Sequence, residues 1–316
     1  MVLRRSPELL ARADAAAHAI AQIPPRAALA REMRQVRRAE IFTSAALAGS
    51  TLSAVEVDAL VDRGIAQGNH AFDDYVLVRG YADAARWIGD ARAYLAGDPR
   101  PVLSVDELRQ LHARAAAGSN VRGGAWRQAN PTPNAGIVAP AAWLVARETT
   151  TLVDRFGRGP QADPVAIWIA RFMGRFARLR PFEGANGRTG RLAANLMLRR
   201  LDFPPLVLER WDRRRFPAAL AAAETNDPSS LAALIAAAIV RTCNRLSAVG
   251  ETQGDPIEPL RDIAGADYTA LAKAAQRGRL RTIVRGGRYY TTSNWIREYR
   301  SKRRSAPVPP TARPTS

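Results

Sequence analysis

The chain has 316 residues, 47% of them apolar, with 47 Lys+Arg against 29 Asp+Glu, three His and one Cys. That apolar share excludes wholesale disorder, and the length suits one large domain with one small one. Cys243 alone excludes an internal disulfide, the His and Cys count excludes the usual zinc sets, so no metal ligands are assigned, and the net charge of +18 points to polyanionic partners.

Residues 1–34 read as a helical extension: MVLRRSPELLARADAAAHAI keeps a helical period and lacks the apolar core of a secretory signal. Helical spacing runs through most of residues 1–250, including the segment 104–118 with His112. Residues 122–140 (RGGAWRQANPTPNAGIVAP) interrupt it and are expected to hold a short hairpin. Asp163 and Pro164 then supply an N-cap and a first helical residue, after which Val165, Trp168, Ile169, Phe172 and Phe176 recur on one core stripe. A loop follows at 179–187, and the next helix places Leu192, Leu196 and Met197 inward. The alanine-rich run 231–240 is shorter than the about 18–20 residues of a membrane span, so no membrane partner and a cytoplasmic location are expected.

Residues 180–191, RPFEGANGRTGR, join that loop to the helix. Gly184, Ala185 and Gly187 are small enough for close backbone approach to a ligand, and a helix start offers unpaired N–H groups with positive potential. Arg188 and Arg191, three apart, project beside the same helix end. The pattern is an anion hole suited to a di- or triphosphate; taken alone, it is equally a turn with solvated arginines.

The same residues resemble the core motif of the Fic (Fido) family, H-P-F-x-D/E-G-N-G-R-x-x-R. Pro181, Phe182, Asn186, Gly187, Arg188 and Arg191 match it without a gap. The similarity extends over roughly 35–245: residues 104–118 resemble the helix before the family's flap, 122–140 its target-docking hairpin, and 211–222 and 227–235 its closing helices. The resemblance implies a mainly α, Fic/Fido helical fold with a short β-hairpin flap over residues 35–248. It also implies AMP transfer from ATP to a protein hydroxyl, with the motif His as base and an acidic residue on Mg²⁺. Gly184, Ala185, Asn186, Gly187, Arg188, Gly190 and Arg191 would hold the phosphates, and the flap would add a strand of a protein target.

Both chemical positions depart from that pattern. Arg180 replaces the His, and a guanidinium stays protonated to about pH 12, so it cannot act as a base worth ~10²–10⁴-fold in rate. His18, His70 and His112 all lie well upstream, and none replaces the base by sequence proximity. Gly184 replaces the acid, with Glu183 one position early, so Mg²⁺ loses its ligand while ATP keeps its cradle. The family's inhibitory pattern, S/T-x-x-x-E-G/N, matches at Ser44 and Gly49 with Ala48 in place of Glu; the alternative is an ordinary helix there.

Residues 249–257 (VGETQGDPI) read as a linker, and 304–316 as a disordered tail. Between them, 258–303 read as helix 259–264, a turn at Gly265, a helix capped by Asp267, a hairpin around Gly286 and Gly287, and a helix capped by Thr292 or Ser293. The layout is similar to the small winged helix-turn-helix of the excisionase-like DNA-binding group. It implies duplex DNA as partner, with Lys273 on the second helix and Arg279, Arg281, Arg285 and Arg288 on phosphates. A basic protein-interaction module is the alternative. All basic residues but Lys273 and Lys302 are arginine, which, with heavy alanine usage, reads as coding bias.

The combined reading is a regulator that binds nucleotide, is degenerate for AMP transfer and carries a DNA-binding module. The alternatives are an active protein adenylyltransferase with a non-standard base, and a fold that serves only as a platform.

Overall fold

The computed structural model describes residues 7–23, 27–90, 100–133, 138–251, 257–285 and 288–304. Helices α1 (Pro7–Ala21), α2 (Ala27–Leu47), α3 (Ala54–Arg63), α4 (Phe72–Gly89) and α5 (Val105–Ala115) form the first half of a helical domain. It is completed by α6 (Val145–Gly157), α7 (Val165–Leu179), α8 (Asn186–Arg200), α9 (Arg210–Arg213), α10 (Phe216–Glu224) and α11 (Ser229–Glu251). The mainly helical architecture expected from the periodicity is the one observed.

The predicted α7 stripe is buried along its whole length, with Phe172 and Ile169 fully inaccessible. Helix α7 begins one residue later than its sequence pattern suggests. Pro164 is the N-cap, and Asp163 pairs with Arg171 instead of capping. Helix α5 starts from a capping box, in which the Glu107 amide donates to Ser104 Oγ at 3.2 Å and the Ser104 amide to Glu107 Oε2 at 2.9 Å.

Alanine has a structural use here beyond coding bias. Residues Ala232, Ala233, Ala236, Ala237 and Ala238 of α11 are all buried, which lets α1, α7 and α10 approach the helix closely. Backbones touch where α7 crosses α10: a Cβ at Gly174 would lie 2.5 Å from the carbonyl of Ala223. The stretch Ser229–Ala248 is long and apolar enough to cross a membrane, longer than the run first read there, but it is wrapped by the other helices.

The C-terminal residues form a compact module of β1 (Glu258–Pro259), α12 (Leu260–Ala264), a 3-10 turn, α13 (Tyr268–Gln276), β2 (Ile283–Arg285), β3 (Arg288–Thr291) and α14 (Ser293–Arg304). Its antiparallel sheet has the order β1-β3-β2, with Ile283 opposite Tyr290 and Arg285 opposite Arg288. Thr292 caps α14, its Oγ1 accepting from the Trp295 amide at 3.2 Å. The module docks on α11. Ala248 packs with Ile283 and Trp295, Trp211 stacks on Tyr289 at 4.7 Å, and Arg241 Nη1 donates to Gln276 O at 2.9 Å.

Two expectations change. Residues 122–133 and 138–140 form no strand, so the hairpin expected over 122–140 does not appear among the described residues. The reason is local: Pro131 and Pro133 carry no N–H for a ladder, and Arg127 takes the carbonyls of Ala129 and Pro140. Helix α11 continues to Glu251, through the first residues read as linker, and the rest of that linker lies outside the described residues, apart from Ile257. The turn at Gly286 and Gly287, and the tail beyond Arg304, lie outside them as well.

Candidate functional site

The loop between α7 and α8 is closed by its own side chains. Asn186 Nδ2 donates to Phe182 O at 2.7 Å, and the Phe182 amide donates to Asn186 Oδ1 at 3.1 Å. The amide of Asn186, expected on phosphate, is therefore spent on holding the loop. Arg180 and Ala185 take left-handed backbone at φ 44 and φ 54. Glycine adopts that conformation freely, whereas arginine and alanine pay about 1–2 kcal/mol. The first backbone bond of α8 runs from the Thr189 amide to Ala185 O at 2.9 Å, which leaves the amides of Gly187 and Arg188 outside the ladder.

Next to this helix end lies a cavity of about 300 Å³, lined by Arg180, Asn186, Gly187, Gly190 and Arg191, with Phe216, Leu220 and Glu224 of α10 opposite. Gly190 is required by packing, since a Cβ would meet Phe176 Cδ1 at 2.9 Å. Gly184, Ala185 and Arg188 are not part of the lining. Arg188 is half-buried, and desolvation pulls its pKa down with no opposing cause. No carboxylate pairs with it among the described residues.

Arg191 is buried and held from the opposite side. Its Nε donates to Ser44 Oγ at 2.7 Å and its Nη2 to Ser44 O at 3.0 Å. Its Nη1 remains beside Gly187, 3.4 Å from where a Cβ there would sit. The contact thus comes from the first position of the inhibitory pattern. Ala48 and Gly49 only form the turn that ends α2, with Gly49 at φ 99. Behind Arg191, Glu40 accepts from Tyr81 Oη and Asn195 Nδ2, each at 2.7 Å. Burial raises the Glu40 carboxyl to about 7 against those bonds, and burial lowers Arg191 to about 10.

Arg180 does not face solvent freely. Its Nη1 donates to Thr132 O at 3.0 Å, which ties the 122–140 segment to the motif. Arg127, only 2% exposed, completes the tie from the segment's side. Its guanidinium donates to Arg180 O at 2.8 Å, Ala129 O at 3.0 Å, Pro140 O and Leu179 O. Nothing in the sequence marks Arg127 out from the other arginines.

His112, set aside in the sequence as too far upstream, is in fact at the motif. Its ring stacks on Phe182 at 3.7 Å, Nε2 lies 3.3 Å from Gly184 O, and Nδ1 accepts from the Gly124 amide at 2.9 Å. Both nitrogens are engaged, which assigns the proton to Nε2 and leaves no free lone pair for a base. Burial lowers its pKa to about 4, Arg188 adds to that effect, and the Gly184 carbonyl opposes it.

The signs of these two shifts oppose each other. Between about pH 4 and 6.5 the unfolded chain binds the His112 proton and the folded chain does not, so this residue's contribution to stability is lost as pH falls. Between about 4.5 and 7 the folded chain retains the Glu40 proton, so that contribution is lost as pH rises. Glu40→Gln should therefore make the denaturant midpoint fall more steeply than wild type on acidification through this window, and His112→Gln should do the reverse.

The donor set does not fit Mg²⁺. A Cβ at Gly184 would lie 2.7 Å from Val121 Cγ2, so an isopropyl group fills the space a side chain there would need. Glu183 is exposed, and no group of three or more His, Cys, Asp or Glu among the described residues is placed to hold a metal. A phosphate chain does fit the free amides beside Arg188 and Arg191.

Residues 102–198 match the family model described as Fic/DOC family. Over that stretch the chain is similar to a Fic/DOC family domain. It is 27% identical over 209 residues to the protein adenylyltransferase fic-1 of Caenorhabditis briggsae, covering 63% of this chain and 39% of that one. The protein adenylyltransferase Fic of Drosophila erecta is 22% identical over 60% of this chain and 38% of its own length. The chain thus spans about two fifths of these curated relatives. Among solved structures, a Fic-1 fragment from Caenorhabditis elegans superposes with a TM-score of 0.67 at 21% identity, over 77% of this chain and 72% of the fragment. A Fic domain containing signaling protein from Bacteroides thetaiotaomicron gives 0.60 at 20%, over 85% and 97%. At these identities the likeness shows the Fic fold.

The predicted DNA contacts do not share one surface condition. Lys273 on α13, Arg279, and Arg288 on β3 are exposed, and the Arg285 side chain lies outside what is described. Arg279 and Arg281 line a cavity against α1 and α11, and Arg281 stacks on Trp295 at 4.4 Å. Arg281, expected on phosphate, is therefore turned toward the helical domain.

Proposed function

We propose that this Fic domain binds a nucleotide through its phosphates at the start of α8, transfers AMP poorly or not at all, and acts as a regulator. The observation that carries the reading is Arg188: a half-buried guanidinium without a carboxylate, beside two free helix amides. Arg180 and Gly184 stand where the family has its base and its acid, and both neighbours His112 and Val121 are committed to packing. The names of the relatives favour the alternative, an active protein adenylyltransferase. Against it stands Arg180 at the position of the motif His, a guanidinium that cannot take the hydroxyl proton.

Calorimetric titration with ATP tests the binding half. Arg188→Ala should weaken affinity roughly 10–100-fold, from the loss of a charge-assisted contact of about 1.5–3 kcal/mol, with an unchanged melting temperature. Equal affinity in wild type and variant would mean that only the fold survives.

Duplex DNA is the proposed partner of the C-terminal module, supported by the strand, helix, helix, hairpin, helix order and by exposed Lys273 and Arg288. In filter binding with the full chain, affinity should fall steeply with salt, and Arg288→Ala should flatten the slope by about one unit. A protein partner at the 122–140 segment is supported by Val138 and Trp143, which are 66% and 80% exposed beside it.

A further inference from the structure

The molecule holds a second cavity, of about 450 Å³, away from the motif and walled by α1, α11 and the C-terminal module. Its volume lies in the range of small-molecule sites. Three arginines from separate parts of the chain converge on it: Arg12 from α1, and Arg279 and Arg281 from the segment between α13 and β2. Glu298 is the one carboxylate on the wall, so the lining carries a net positive charge. Arg12 and Arg279 are both exposed, and neither pairs with a carboxylate among the described residues. Guanidiniums that converge on one cavity attract an anion and can hold it through charge-assisted hydrogen bonds.

The rest of the wall specifies the body of the ligand. Ile20 and Ile23 make one side apolar, and Trp295 and Tyr299 of α14 make the other aromatic. Arg281 lies over the Trp295 ring at 4.4 Å, a cation–π contact that keeps its guanidinium at the aromatic wall.

We propose that this cavity binds a small amphipathic anion, with its acidic head on Arg12, Arg279 and Arg281 and a flat apolar body between the isoleucines and α14. Because α1 and α11 belong to the helical domain and Trp295 to the module, the occupant bridges the two. The site is independent of the α8 anion hole and of whether that hole binds nucleotide.

The probe is anilinonaphthalene sulfonate, an aromatic anion whose fluorescence rises on burial, titrated into the full chain. Saturable binding to one site per chain is expected, weakened roughly tenfold by Arg12→Gln and by Arg279→Gln separately, and unchanged by Arg188→Ala. Ala19→Trp, at an exposed position of the lining, should block the site without lowering the melting temperature. Phenyl phosphate and naphthoate are then compared as competitors, and the better displacer identifies the head as phosphate or carboxylate. Displacement by neither, or a probe affinity untouched by the arginine and Ala19→Trp variants, would overturn the proposal.

Discussion

Arg180→His combined with Gly184→Asp is expected to leave the protein as poor an AMP donor as wild type, and the triple variant with Val121→Ala is expected to gain ~10²–10⁴-fold in labelling rate. The histidine itself has a place: position 180 already adopts left-handed backbone, which histidine tolerates better than arginine. The acid does not, because its Cβ would come within 2.7 Å of Val121 Cγ2. Removing the isopropyl group opens that space. Transfer of radiolabelled AMP to lysate protein, scored on a denaturing gel, measures wild type and both variants side by side. Recovery in the double variant alone would show that Val121 yields and that the site is one residue pair away from activity.

Arg241→Ala is expected to cost about 3–5 kcal/mol of stability, as breaking one partner of a buried ion pair does. Arg241 and Asp212 form an ion pair with side chains 4% and 2% exposed, and Asp212 also accepts from the Glu209 amide at 3.0 Å. Without the guanidinium, the Asp212 carboxylate is left buried and uncompensated, its pKa already raised by burial. Arg241 also reaches Gln276 O, so its loss loosens the module from α11. Replacing both partners, Arg241→Met with Asp212→Leu, should cost less than Arg241→Ala, since no orphaned charge remains. Denaturant unfolding of the three proteins checks the order.

What was legible in the chain, and what was not, follows from range. The stripe from Val165 to Phe176 is a local pattern, and α7 starts within a residue of where the sequence puts it, while the segment 104–118 is helical over Val105–Ala115. The motif was legible because its residues are contiguous. His112 was not: its contact with Gly184 O spans 72 positions, and nothing near it in sequence announces the stack on Phe182. Val121 escaped for the same reason. Ser44 was found as a pattern position, yet its bond to Arg191 closes over 147 residues and could not be read from spacing. The missing hairpin shows a different limit. Proline and glycine mark where a helix stops, but not whether strands or a buried guanidinium will satisfy the backbone that follows.

One measurement tests the central claim, that nucleotide is bound and not transferred. Wild-type protein is equilibrated with ATP labelled on the α-phosphate, the bound label is counted under native conditions, and the same sample is then denatured and counted again. The account predicts label retained by the folded protein and released on denaturation. Label that stays with the unfolded chain would be covalent AMP, and would contradict it.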